Sequence, residues 1–330
     1  MNIAVFSAKS YDKEYFDKIN KSYKHTLTYF DAGLNKDTAT LTQGFDSICV
    51  FVNDDVSKEI IEKIAANGIK AIALRCAGFN NVDVAAAHAH NIKVVRVPAY
   101  SPEAVAEHAA AMILTLNRKT HKAYNRVRES NFSLEKLTGF NLHGKTVGVI
   151  GTGIIGKAFC NIMLGFGCKI IAYDIFESDD LKNKGVQYVT LDELFTASDI
   201  ISLHCPLTPE TKHMLNEAAF AKMKKGVMLI NTGRGALINT KDAIKALKDE
   251  KLGYLGIDVY EQETNIFFRD LSESIMQDEV FARLMTFPNV LVTAHQAFFT
   301  SEALEQIATV TLKNIADFEN NLPLINEVNV

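Results

Sequence analysis

Short apolar runs alternate with longer amphipathic stretches in the first hundred residues. Residues 2–6, 26–30, 48–52, 71–75 and 93–97 are β-rich and read as strands. The intervening pattern is helical. Over 55–66, Ile60, Ile61 and Ile64 fall on one face, and Gly68 follows as a stop. Strands that alternate with helices of this length imply right-handed βαβ units and a parallel sheet.

A second series begins after Leu142, with strands expected at 146–150, 169–173, 186–189, 200–203, 227–231, 254–258 and 290–292. Several are continuous apolar runs, as for strands buried on both faces. Between the two series the chain reads Val97-Pro98-Ala99-Tyr100-Ser101-Pro102, with Ser101 suited to cap a helix and Pro102 to its first position. One helix is expected from Glu103 to about Arg128, apolar all round over 104–116 and then basic and polar. Its apolar part must be buried, either inside its own domain or against another subunit, which hints at a dimer. A last helix is expected over 301–320. If it packs on the first series, the first domain is discontinuous.

The chain has 330 residues, enough for two domains, and 48% hydrophobic with 22% charged residues is an ordinary globular balance. The net charge of −4 and pI near 6.2 supply no global field for nucleic acid or an anionic membrane. A small-molecule partner is expected. The first residues lack the basic and long apolar regions of a signal peptide, and the longest uncharged stretch, 284–301, is interrupted by Pro288, Asn289, His295 and Gln296. Cys49, Cys76, Cys160, Cys168 and Cys205 form neither a C-x-x-C pair nor a cluster with histidine. That speaks against a bound metal or a disulfide framework, and a reduced, cytoplasmic enzyme is the expectation.

The strand 146–150 runs into Gly151-Thr-Gly153-Ile-Ile155-Gly156, and a helical pattern follows. A lone G-x-G-x-x-G is weak evidence, but here Asp174 ends the next strand at the spacing of a dinucleotide fold. Gly151 allows the tight turn, Gly153 lets a pyrophosphate approach the backbone, and Gly156 permits close helix–strand packing. Asp174 would accept from the adenosine ribose and repel a 2′-phosphate, and Ile175, Phe176 and Glu177 offer no arginine to neutralise one. The expected cofactor is NAD, not NADP.

Three further strand ends carry polar residues: Asn231-Thr232-Gly233-Arg234, Asp258 to Glu263, and His295 to Phe299. Each has a plain alternative. An arginine after a strand is usually a surface ion-pair partner, an acidic loop is usually solvated, and a lone histidine is usually structural. Their ordered recurrence behind the glycine loop shifts the balance toward a site.

With these motifs the sequence resembles the D-isomer-specific 2-hydroxyacid dehydrogenases and, within them, the fermentative D-lactate branch. The match runs through 74–83, 95–108, 202–208, 258–261 and 294–298, the last with Ala294 where a glycine is usual. The resemblance implies an α/β architecture of two Rossmann-like or flavodoxin-like parallel-sheet domains. An NAD domain at 100–296 would be inserted into a substrate domain made of 1–99 and 297–330. It implies reversible hydride transfer, with pyruvate reduced to D-lactate. Larger 2-oxo acids, or an NAD-sensing corepressor-like role, are the alternatives.

In this reading His295 is the general acid, Glu263 fixes its tautomer, and Arg234 holds the substrate carboxylate or carbonyl. The Ala77 and Gly78 N–H groups would bind the carboxylate, and Phe51, Tyr100 and Phe298 would close the pocket, with core packing the alternative for these aromatics. Ile155, Cys205, Pro206, Thr211, Thr232, Gly233 and Asp258 would line the NAD groove, while Arg75 is taken as structural. A homodimer or homotetramer is expected.

Overall fold

In a computed structural model of the chain, which describes residues 1–263 and 266–329, the first apolar runs form β1 (Asn2–Val5), β2 (Thr26–Tyr29), β3 (Ser47–Val50), β4 (Ala71–Leu74) and β5 (Lys93–Arg96). They pair in parallel in the order β2-β1-β3-β4-β5. The helix carrying Ile60, Ile61 and Ile64 runs Lys58–Ala66 and buries all three. It starts later than the apolar spacing suggests because the Asp55 side chain accepts the Ser57 N–H at 2.9 Å, turning the chain just before the helix. Gly68, at φ +91°, ends it.

The helix Ser301–Glu319 returns from the far end of the chain and seals this sheet. Ala308, Leu312 and Ile315 pack with Ile3, Val5, Ala73 and Val95 in one buried cluster. The Thr300 side chain caps the helix by accepting the Ala303 N–H. One compact unit is therefore Met1–Ser101 with Phe299–Val330, and the other is Pro102–Phe298.

The second unit holds β6 (Thr146–Ile150), β7 (Lys169–Tyr173), β8 (Gln187–Tyr188), β9 (Ile200–Leu203), β10 (Val227–Asn231), β11 (Leu252–Ile257) and β12 (Val290–Val292). All pairs are parallel, in the order β12-β11-β10-β9-β6-β7-β8. The order reverses at β6, which creates a crevice at the carboxyl ends of β6 and β9, where open α/β sheets bind ligands. Both units are thus parallel α/β layers of Rossmann-like kind.

One expected element differs. The helix expected from Glu103 to about Arg128 is two helices, Pro102–Arg118 and Thr120–Arg128, with Lys119 between them at φ +52°. The Lys119 ammonium donates to the Lys136 and Thr138 carbonyls across the break. The first helix buries Ala106, Ala109, Met112, Ile113 and Leu116 in the core of its own unit. The second buries no residue.

Candidate active site

The glycine loop joins β6 to the helix Ile154–Gly165, and each glycine answers a different steric demand. Gly151 sits at φ +93°, and a Cβ there would lie 2.5 Å from the Cys205 nitrogen. The strand end after β9 is therefore pressed against the loop. A Cβ on Gly156 would lie 2.0 Å from the Gly151 carbonyl oxygen. A Cβ on Gly153 would meet nothing within 4 Å, and no side chain caps the helix that begins there. The first turn thus presents N–H groups to open space, a setting suited to an anion.

Beneath the loop His204 is half-buried, 2.9 Å from the Ser202 hydroxyl and packed on Phe159. Desolvation drives its pKa down to about 3, so it is a neutral prop for the loop.

Asp174, just beyond β7, is tied to the same loop. Its carboxylate accepts from the Thr152 N–H, from the Thr152 hydroxyl at 3.1 Å and from the Phe176 N–H at 3.0 Å. Partial burial works against its charge, but these donors outweigh it and hold its pKa below the ordinary carboxylate value. The side chains that follow, Ile175 and Phe176, are exposed and carry no cation.

After β9 the chain carries Cys205, Pro206 and Thr211. Burial raises the Cys205 thiol to about 11, which makes it a wall and not a nucleophile. The Thr211 hydroxyl donates to the Pro206 carbonyl at 2.8 Å and braces the turn. After β10, Thr232 is buried and its hydroxyl has no hydrogen-bond partner among the described residues. An unpaired buried hydroxyl at the carboxyl end of β10, on the same sheet edge as the helix N-terminus that begins with Ile154 and Ile155, fits a polar dinucleotide. Gly233 has room for a Cβ, whose nearest neighbour would be the Asn231 side chain at 3.5 Å.

Arg234 is half-buried, and its guanidinium donates to the Gly233 carbonyl at 2.8 Å. Among the described residues no carboxylate pairs with it. Asn231 shapes its turn, donating to the Arg234 carbonyl at 2.9 Å and accepting the Gly233 N–H at 3.0 Å. The guanidinium is fixed in place with donors to spare for a small carboxylate.

The acidic loop after β11 is not solvated; its members divide their labour. Asp258 is fully buried, and its carboxylate accepts the Thr293 hydroxyl and the N–H groups of Gln296 and Ala297, both at 2.9 Å. Its main-chain oxygen accepts the His295 N–H at 2.8 Å. Glu261 pairs with His213 at 2.6 Å. Glu263 lies 2.9 Å from Nδ1 of His295 and is itself steadied by the Tyr260 N–H at 2.9 Å.

His295 stands at φ +53°, a strained conformation for a non-glycine residue, and Asp258 bonds both it and the two residues after it. His108, on the helix Pro102–Arg118, adds a contact to Thr293 at 3.1 Å; burial lowers its pKa against the pull of Asp258. Two rings lie near His295: Phe298, edge-on at 6.5 Å, and Phe268, tilted at 5.6 Å. Sequence reasoning assigned no role to His108, Thr293 or Phe268, although His108 ends the matching stretch 95–108; no motif marks Phe268.

The remaining expected residues belong to the first unit. Phe51 follows β3 and lies under the Arg75 guanidinium at 4.8 Å. Arg75 is fully buried, pairs with Asp12 at 3.3 Å and donates to the Ser7 carbonyl at 2.8 Å, as a structural residue does. After β4, Ala77 accepts from Arg96 through its carbonyl at 2.7 Å. The Ala77 and Gly78 N–H groups donate to no acceptor among the described residues. Tyr100 is half-buried at the end of this part of the unit.

Comparison with known proteins converges on one family. Residues 110–297 match the model of the D-isomer specific 2-hydroxyacid dehydrogenase, NAD binding domain. The chain is 54% identical over 328 residues to D-lactate dehydrogenase of Escherichia coli, covering 99% of this chain and 100% of that one. The apo-structure of the Escherichia coli enzyme superposes with a TM-score of 0.93 at 52% identity, each chain fully covered. The pyruvate reductase of Chlamydomonas reinhardtii superposes with a TM-score of 0.95 at 44% identity, over 99% of this chain and 98% of that one.

Proposed function

Because the chain belongs to the D-isomer-specific 2-hydroxyacid dehydrogenases, and so is an NAD-dependent oxidoreductase, we propose that it reduces pyruvate to D-lactate with NADH. The reaction consumes pyruvate, NADH and a proton and yields D-lactate and NAD. The observation that carries this reading is the 2.9 Å contact between His295 Nδ1 and Glu263.

A carboxylate at Nδ1 keeps a proton on that nitrogen and sets the orientation of the ring, so Nε2 is the atom that gives a proton to the substrate oxygen. Arg234, with no carboxylate partner among the described residues, takes the substrate carboxylate or carbonyl. The free Ala77 and Gly78 N–H groups are assigned to the same carboxylate, and Phe51, Tyr100 and Phe298 to the apolar side of a small 2-oxo acid. Bound NADH supplies the hydride. Gly151, Gly153, Gly156, Ile155, Cys205, Pro206, Thr211, Thr232, Gly233 and Asp258 are assigned to its groove or the frame behind it. Asp174 selects NADH over NADPH, since its ionised carboxylate repels a 2′-phosphate.

A homo-oligomer accompanies this reading. The helix Thr120–Arg128 buries nothing, and Tyr124, Val127, Phe132 and Leu134 are exposed along it and just after it. Such an apolar strip suits a second copy of the chain. No helix among the described residues is long and apolar enough to cross a membrane. The five cysteines form no disulfide among the described residues, and a cytoplasmic setting is proposed for them.

The test is a panel of 2-oxo acids with NADH, followed by chiral analysis of the product, on the parent and on His295→Ala. Turnover of pyruvate to the D-isomer, falling by about 10² or more in the variant, is the expected result. Near-normal turnover by His295→Ala would sink the assignment.

A further inference from the structure

Phe267 and Phe268 are adjacent and share one aromatic cluster, Phe267 inside it and Phe268 half-buried against it. Phe267 is buried with Tyr260 and Phe281 in a small aromatic cluster, its ring 6.0 Å from that of Phe281. Its N–H donates to the Glu263 carbonyl at 2.9 Å, as does that of Ile266. Phe268 follows at φ +62°, a left-handed conformation that a bulky side chain rarely adopts. The ring lies 5.6 Å from the His295 imidazole, while Phe298 meets the same imidazole edge-on at 6.5 Å. Glu263 bonds the imidazole at Nδ1. One short segment therefore delivers a carboxylate to the edge of the imidazole and an aromatic ring against it, with Phe267 as its anchor.

Strain of this kind persists only where the surroundings over-determine it, and here it brings a ring that packs on the edge of the aromatic cluster up to a reactive group as well. The geometry points to Phe268 as a positioning residue that holds the His295 imidazole in line for proton transfer and keeps water from that side of the ring. The carboxylate at Nδ1 fixes one point of a flat ring, which leaves rotation about the Cβ–Cγ bond. Rings packed on it remove that freedom. The inference rests on His295 being the proton donor proposed above.

The experiment compares Phe268→Ala, Phe268→Gly and Phe268→Tyr in pyruvate reduction, each with and without Glu263→Gln, beside His295→Ala. Phe268→Gly removes the ring and relaxes the backbone at a positive φ, so it keeps the fold where alanine could lose it. The expected result is a fall in kcat of about tenfold for the alanine and glycine variants, with KM for NADH within about twofold. The tyrosine variant recovers most of kcat. Combined with Glu263→Gln, the losses multiply to less than their product, because both residues act through one imidazole. Parent-like kcat in Phe268→Gly, or a tyrosine variant no better than alanine, overturns the proposal while an inactive His295→Ala leaves the assigned function standing. An active His295→Ala overturns both.

Discussion

The main-chain oxygen of Asp258 accepts the N–H of His295 at 2.8 Å, and the Asp258 carboxylate accepts the next two N–H groups in the chain. A residue with no solvent exposure thus dictates the path of the segment that carries the proposed proton donor. Replacing one oxygen by an NH2 group sets a donor against a donor. Asp258→Asn should destabilise the fold by about 1–3 kcal/mol, the cost of an unsatisfied buried polar group. It should also lower kcat beyond the stability loss, because His295 no longer keeps its strained backbone. Denaturant unfolding paired with steady-state kinetics checks both; parent-like kcat with reduced stability would confine Asp258 to the fold.

The glycine loop separates folding from binding. Gly156→Ala places a carbon about where the Gly151 carbonyl already lies, and an overpacked helix–strand contact costs about 1–3 kcal/mol. Gly153→Ala meets nothing in the protein. It should melt within about 2 °C of the parent yet bind NADH at least about tenfold more weakly, as a Cβ blocks the approach of the pyrophosphate. Fluorescence titration with NADH and a thermal melt distinguish the two variants.

Asp174 offers a cofactor test. Its carboxylate is held below the usual range despite partial burial, so it stays charged throughout the neutral range. Asp174→Ser should bring the NADH-to-NADPH preference in kcat/KM down by about tenfold or more, the worth of removing a close like charge. An unchanged ratio would place cofactor choice elsewhere.

His204 should set part of the acid stability. Its pKa is near 3 in the folded chain and near 6.5 when unfolded, so only the unfolded state takes up the proton between those values. Stability is full above about pH 6.5 and falls as pH drops toward 3, by up to about 1.4 kcal/mol per unit for one group. Exchanging His204 for glutamine should flatten that slope in urea melts taken between pH 6.5 and 4.

The alternation of apolar runs was enough to place both parallel sheets, because strands buried on two faces leave continuous apolar stretches. The glycine spacing and the placement of Asp174, Arg234, Glu263 and His295 just after strands were equally open to a reader of the chain, since each follows a strand at an expected spacing. Other features were not legible. The break at Lys119 depends on an ammonium reaching the Lys136 and Thr138 carbonyls, seventeen and nineteen residues on. Asp258 read as part of a ligand groove, and only its burial revealed it as the frame of the His295 segment.

Phe268 is the furthest case. Nothing local distinguishes it from Phe267, yet one is buried inside the aromatic cluster while the other, packed on its edge, also reaches the imidazole. Periodicity and short motifs record which residues lie on one strand or helix. The sequence by itself determined the strands, the positions of the polar residues at their ends and the family. The tertiary structure alone decided which buried carboxylate, histidine and aromatic ring hold that chemistry in place, because those contacts join positions whose separation along the chain follows no period.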